Sequence, residues 1–363
     1  MASQLWAKLI PANAAFEIRE SPGKGFGAFA TKKIAARSCI LRERPLFVIV
    51  MPWEVVGNDN VVDAYRSLGP QEQQIFQAMI AYETEKNGSE FRFPEYATML
   101  RNKFSQPPCY EAMCVISSRL NHACLPNAAC PIDEEADSGE NISVAMFALR
   151  DIAEGEEITF NYNEDWAYMS THIRRAAMRW AFECSCPVCH PNNPLQPISN
   201  MRRALLRGLR CLAYGEDLPP CAYLECPVTL RAMGPSPGGR NPRNWGMWYS
   251  LAGYIAEAEG LPELSLKMFE RGFFHMQTAV GANLLEAHEW RTVAQWGEKS
   301  LEIGRTLPPE CRSQASLVAT QLSIMETLFY DPPVDNIERF AGMIQGAKLV
   351  EETQNAIRDF LFR

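Results

Sequence analysis

No stretch of this chain approaches the roughly 20 uninterrupted apolar residues that a helix needs to cross a bilayer, so the sequence gives no reason to expect a membrane association. Positive charge is in deficit too: 35 Lys and Arg against 43 Asp and Glu leave a formal charge of −8. Holding a phosphate backbone takes clustered cations. The balance therefore argues against direct nucleic-acid binding and is compatible with a basic protein partner. An acidic run at Asp133, Glu134, Glu135, Asp137 and Glu140 reads as a solvated loop. Met1 to Phe16 reads as a poor secretory signal, because it carries only Lys8 as a basic residue and its apolar run is broken by Pro11 and Asn13. The expected residence is intracellular, in cytoplasm or nucleus.

What is present is a chain of 363 residues, 47% of them hydrophobic, which is ample for two or three domains with buried cores. Its 12 cysteines are expected to remain thiols in a reducing compartment and so to be free for metal binding. From Phe16 to just beyond Pro45, short apolar stretches alternate with Gly, Pro and charged breaks, the pattern of short strands and tight turns. Between Val61 and Asn102 the spacing turns helical, with Tyr65, Leu68, Ile75, Phe76, Met79, Ile80 and Tyr82 as apolar stripes. Strand character returns at Ile142–Leu149 and Glu157–Phe160, and a helix is expected from about Ser170 to Trp180. The Pro- and Asn-rich segment Pro191–Asn200 marks a domain boundary. Helical stripes then recur at Leu205–Leu212, Trp245–Ala258, Leu264–Phe274, Ala287–Ile303, Ser316–Phe329 and Ile337–Phe362, with Met233–Arg243 as a long loop.

Four clusters carry candidate chemistry. Cys184-Ser185-Cys186-Pro187-Val188-Cys189 offers three thiols at the end of a helix, and zinc wants four tetrahedral ligands of this soft kind. The fourth must come from afar, with Cys124, Cys130, Cys109, Cys114 and the adjacent His190 as candidates. The rival reading, a redox pair in Cys186-Pro187-Val188-Cys189, lacks the βαβ context such a pair needs. The second cluster is Leu120-Asn121-His122-Ala123-Cys124-Leu125-Pro126-Asn127, and the third is Gly155-Glu156-Glu157-Ile158-Thr159-Phe160-Asn161-Tyr162. The fourth, Gly23-Lys24-Gly25-Phe26-Gly27, lets backbone approach a ligand or turn tightly, and it lacks Rossmann spacing. Taken singly, the last three are read as a turn cap, a packed strand tyrosine and an ordinary turn.

Together and in this order, the four clusters resemble the SET-domain methyltransferases, and most of all the SMYD branch and related fungal SET proteins. The resemblance covers Phe16 to Cys189. It implies an α+β fold: a β-clip core of short strands with a helical insert and a post-SET zinc site, followed by an all-α, tetratricopeptide-like C-terminal domain. The corresponding divisions are 1–50 and 111–169 for the two parts of the core, 51–110 for the insert, 170–192 for the zinc segment and 193–363 for the helical domain. The MYND zinc module of the SMYD branch is missing, since Pro52–Pro108 holds no cysteine cluster.

The resemblance further implies the cofactor S-adenosylmethionine, held by Lys24, Gly25, Phe26, Asn102, Ser118, Asn121, His122, Tyr162 and Phe182, and a structural zinc on Cys124, Cys184, Cys186 and Cys189. Tyr162 would be the catalytic residue, with Phe104 and Trp180 lining the lysine channel. The implied activity is methylation of lysine side chains of a histone or other, basic protein, with a further partner docking on the helical domain. Two positions depart from the pattern. Ala123 stands where the family often has Ser, and Trp180 where the SMYD branch usually has a channel tyrosine. The wider indole leaves open a SET fold turned to small-molecule chemistry, and fold alone also leaves open a scaffold without catalysis.

Overall fold

The structure is a computed structural model and describes residues 6, 8–87, 92–106, 110–131, 142–178, 182–214, 242–281 and 289–311. The described residues form two compact units, one taking those up to Ala204 and after Gly304, the other those from Leu205 to Gly304. No helix among the described residues is long and apolar enough to cross a membrane. Trp180, the expected helices 316–329 and 337–362, and residues 233–241 of the expected loop lie outside the described residues.

The first unit is built from ten short strands. β1 (Phe16–Ser21) and β2 (Gly25–Ala30) form a hairpin, followed by β3 (Cys39–Glu43) and β4 (Phe47–Val50). Three helices come next, α1 (Asn58–Arg66), α2 (Pro70–Asn87) and α3 (Pro94–Asn102), and then β5 (Lys103–Gln106), β6 (Tyr110–Met113), β7 (Asn121–His122), β8 (Ala128–Ala129), β9 (Val144–Ala148) and β10 (Glu157–Phe160). The strands make three small sheets, ordered β1-β2-β10-β7, β3-β9-β8 and β4-β6-β5. Burial follows position in the sheet. The central strands β9 and β6 are buried at every residue, whereas β1 buries Phe16 and Ile18 and leaves Glu17 and Arg19 in solvent. The helical insert closes one side of this core: Val61, Phe76, Met79 and Met99 are fully buried, and Phe76 meets Phe47 of β4 edge-on at 5.4 Å.

After β10 the chain continues into α4 (Thr171–Met178) and α5 (Leu195–Tyr214). The segment that composition marks as a boundary is thus helical from Leu195 onward. Pro197 falls in the first turn of α5, where a missing N–H costs no intrahelical bond. In the second unit α6 (Pro242–Glu259), α7 (Pro262–Gly281) and α8 (Glu289–Thr306) follow. The α6–α7 turn is a Schellman cap: Leu261 N–H reaches the Ala256 carbonyl, Gly260 N–H reaches that of Glu257, and Gly260 takes φ +82°. Pro262 then opens α7, where its fixed φ suits a first helical residue.

Two carboxylates organise the backbone around the later site. Glu43, at the end of β3, accepts the N–H groups of Val115, Ile116 and Ser117 at 2.7, 2.8 and 2.7 Å and the Ser117 hydroxyl at 2.6 Å. It thereby fixes the single turn Ser117–Arg119 that leads into β7. Glu156 closes the turn before β10, accepting from Arg150, the Ala153 N–H and the Asn127 amide. Burial tends to raise its pKa, but Arg150, Ala153 and Asn127 outweigh that and bring it down to about 2.

Two outcomes follow. Glu43→Gln leaves only one acceptor oxygen and no charge, and should lower stability by about 2–4 kcal/mol, read as a lower denaturant midpoint at unchanged slope. For Glu156, the folded-state pKa lies below the ordinary 4.5. Its stabilising contribution relative to Glu156→Gln should be complete above that value and vanish as pH falls toward 2. A stability difference between native protein and E156Q that stays constant from neutral pH to pH 2 would contradict this.

Candidate active site

The site is assembled by one parallel pairing between very short strands. Thr159 and Phe160 of β10 lie beside Asn121 and His122 of β7. So short a pair needs reinforcement, and Asn127 provides it. This residue is buried; its amide oxygen accepts Thr159 N–H at 2.8 Å, its amide nitrogen donates to the Glu157 carbonyl at 2.9 Å, and its own N–H reaches the Thr159 carbonyl. Ala123 N–H adds a bond to the Phe160 carbonyl at 3.1 Å. The Leu120–Asn127 cluster is therefore clamped along β10, and Tyr162 emerges two residues beyond that strand.

The glycine-rich turn arrives from the other side of β10, because β2 pairs with it antiparallel. Here Glu157 gathers three groups: the Ser21 hydroxyl at 2.8 Å, the Lys24 ammonium at 2.7 Å and the Asn121 amide at 2.8 Å. Asn121 also donates to the Phe26 carbonyl at 3.0 Å. The crowding requires Gly27, since a Cβ there would sit 2.6 Å from a Glu157 oxygen and 2.9 Å from the Asn121 nitrogen. Burial works against ionisation of Glu157, but Lys24, Asn121 and Ser21 overcome it and lower its pKa. Lys24, Gly25, Phe26, Ser118 and Asn121 all remain partly open to solvent.

Tyr162 stands where an aromatic group meets this polar cradle. Its hydroxyl donates to the Leu120 carbonyl at 2.8 Å, while 40% of the residue stays exposed. Burial around the hydroxyl, with further contributions from the Glu157 and Glu83 carboxylates, raises the phenol above its ordinary range, against the opposing pull of Arg119. The ring lies 4.9 Å from Phe160 and 5.8 Å from Phe182, and Phe160 stacks on Phe104 at 5.7 Å. Asn102 is set apart from this group. It is buried, with its amide committed to Glu83, the Thr98 carbonyl and Arg119, and it connects to Ser118 only through the Arg119 guanidinium.

Behind Tyr162 the four sulfurs of Cys124, Cys184, Cys186 and Cys189 lie within 4.8 Å of one another. Cys124 Sγ is 4.0 Å from that of Cys184 and 3.5 Å from that of Cys189. A tetrahedral ion holding thiolates at about 2.3 Å keeps them roughly 3.8 Å apart, so the cluster has the composition and spacing of a four-sulfur metal site. All four are free thiols, and Cys186–Cys189 forms a tight knuckle in which the N–H groups of Cys189 and His190 both reach the Cys186 carbonyl. The other candidates for the fourth ligand are elsewhere: Cys114 and Cys130 are not in the cluster, His190 is exposed with its ring toward Asn192, and Cys109 lies outside the described residues. Hydrogen bonds from its three neighbours and the nearby Arg174 hold Cys189 far below the ordinary thiol range.

His122 joins the cluster to Tyr162. Its Nδ1 accepts the Tyr162 backbone N–H at 3.2 Å, which places the ring proton on Nε2, 3.2 Å from the Cys124 sulfur. Burial lowers its pKa to about 3, so the ring is neutral. The imidazole also contacts Phe182 and Trp166 at 5.7 and 5.0 Å. Glu157, Phe160, Trp166 and Arg174 are members of this site that sequence reading missed. Glu157 had a signal, since it sits inside the quoted Gly-Glu-Glu segment. Phe160 lies in that same segment, whereas Trp166 and Arg174 reach the site only through tertiary contacts.

Comparison with known proteins finds relatives for part of the chain. The model of the SET domain matches residues 25–163. The histone-lysine N-methyltransferase set5 of Schizosaccharomyces pombe is 26% identical over 195 residues, covering 53% of this chain and 56% of that protein. The protein-lysine N-trimethyltransferase SMYD5 of Mus musculus is 37% identical over 78 residues, 21% of this chain and 18% of that protein. The histone-lysine N-methyltransferase SET5 of Meyerozyma guilliermondii is 35% identical over 72 residues, 20% of this chain and 14% of that protein. The chain thus spans about half the length of the fission-yeast relative and less of the others. Residues 25–163 thus match the SET domain, and parts of the chain are similar to fungal Set5 proteins and to SMYD5.

Proposed function

We propose that this protein is an S-adenosylmethionine-dependent protein-lysine methyltransferase, whose SET domain is completed by a structural zinc on Cys124, Cys184, Cys186 and Cys189. The observation that carries the reading is the position of Tyr162, anchored through its hydroxyl at the junction of the Lys24–Glu157–Asn121 cradle and an aromatic wall.

The donor set suits the cofactor. Lys24 and Glu157 put a cation and an anion side by side, which matches a zwitterionic methionyl end. Asn121 and the backbone of His122 offer amide and carbonyl groups for adenine, and the half-open Phe182 face suits stacking on the base. When bound, the cofactor supplies an electrophilic methyl group. The chain's own residues then have two tasks. Phe104, Phe160 and Phe182 give the substrate amine an apolar passage, and loss of hydration there favours the neutral, nucleophilic amine. Tyr162 orients it. Its proton is committed to Leu120 and its pKa is raised, so the phenol is no proton acceptor from lysine, but its oxygen lone pairs can receive an amine N–H. Much of the rate would come from this alignment. The sulfur cluster takes no part in the reaction; it holds Phe182, two residues before Cys184, against His122 and Tyr162. A basic substrate segment agrees with the chain's acidic balance.

The test is transfer of labelled methyl from S-adenosylmethionine to histones or to other proteins of a lysate. Tyr162→Phe should reduce turnover about 100-fold or more while calorimetry finds cofactor affinity within a few-fold of native. No labelled protein from any source would end the reading. For the metal, elemental analysis of the purified protein should find about one zinc per chain. Cys184→Ser should abolish it and lower the unfolding temperature to that of chelator-treated native protein.

A further inference from the structure

Arg174 of α4 is fully buried. A guanidinium cannot shed its proton, and burying one without a counter-charge is costly. Its hydrogen bonds go to the Met169 carbonyl, the Thr171 hydroxyl at 3.2 Å, the Val188 carbonyl at 3.3 Å and the Cys189 sulfur at 3.3 Å. Among the described residues none goes to a carboxylate. Among the partners it bonds, the one group that can carry negative charge is the Cys189 thiol. Conversely, four thiolates around a divalent ion leave two negative charges in a pocket whose sulfurs at Cys124, Cys184 and Cys189 are buried. Each group lacks what the other supplies.

We propose that Arg174 is the counter-ion of the metal centre, an affinity-determining residue one step outside the four sulfurs. The inference rests on the zinc reading above. It assigns Arg174 a role distinct from that of a staple between α4 and the 184–189 loop. A staple through the Val188 and Met169 carbonyls stabilises the fold whether or not metal is present. A counter-ion stabilises only the loaded protein, and in the metal-free protein it is a buried charge with its partner weakened.

The test is a thermodynamic cycle on Arg174→Met, which keeps the length and removes the charge. Zinc affinity is measured by competition with a chromophoric chelator, and unfolding temperature is measured with and without zinc. R174M should bind zinc about 10- to 100-fold more weakly, as expected for loss of a group that tunes a metal ligand. It should unfold below the native protein when loaded, yet at or above it when metal-free. Arg174→Lys, which retains charge, should keep zinc affinity within a few-fold of native. Native affinity in R174M, equal destabilisation of loaded and metal-free forms, or a loss in R174K as large as that in R174M would each overturn the proposal. If R174M does not fold, the affinity of R174K decides. Native protein that carries no zinc and whose unfolding is indifferent to chelator would instead remove the zinc reading, and is told apart by that measurement.

Discussion

The constraint on which the site depends is the convergence of one thiol from the middle of the chain with three from a loop about 60 residues later. The 184–189 loop has little regular structure and few large apolar side chains of its own. Val188 and the cysteines make only a small buried group with Met178. A loop of that kind gains little from hydrophobic burial, so directed hydrogen bonds such as those from Arg174 and Thr171 to the Val188 carbonyl have to position it, and under the zinc reading ligation adds to them. Once the loop is fixed, Phe182 is fixed with it. The aromatic face beside Tyr162 is thus positioned from the sulfur cluster behind it.

On the other side of Tyr162, position is secured by side chains imitating backbone. β7 has two residues, too short to hold β10 by strand pairing alone. Asn127 supplies both a donor and an acceptor to β10, and Glu43 supplies acceptors to three consecutive N–H groups before β7. Such bonds have defined directions, and their loss leaves buried groups unpaired. That explains why a segment with so little regular structure can hold a tyrosine hydroxyl against one particular carbonyl.

The sequence showed the strands well where apolar residues ran continuously or alternated, as at Phe26–Ala30, Cys39–Leu41, Ile142–Leu149 and Glu157–Phe160, and it showed the helices of the insert through their stripes. It misplaced the start of α5, because proline early in a helix looks in composition like proline in a linker. The thiols of the 184–189 loop were visible as a set through their spacing. Cys124 could be chosen over Cys114 or Cys130 only by resemblance, since nothing local separates three single cysteines. Arg174 was invisible as a site residue. An arginine on an amphipathic helix reads as a solvated charge, and only the folded chain turns it inward beside a sulfur. The partners of Asn102 were likewise hidden, since only the folded chain brings its amide to Glu83 and Arg119.

His122 ties the two halves of the site into one unit. A neutral imidazole has one donor and one acceptor, and here both are used, one toward the Cys124 sulfur and one toward the Tyr162 backbone. The ring is further flanked by Tyr162, Trp166 and Phe182. With both ends committed and its faces packed, the imidazole cannot rotate to suit one neighbour without releasing the other. Disturbance of the sulfur cluster is therefore passed to the backbone that carries the tyrosine by a single rigid group. A site so connected couples its two halves, and the polar groups buried between the sulfurs and Tyr162 act on both together.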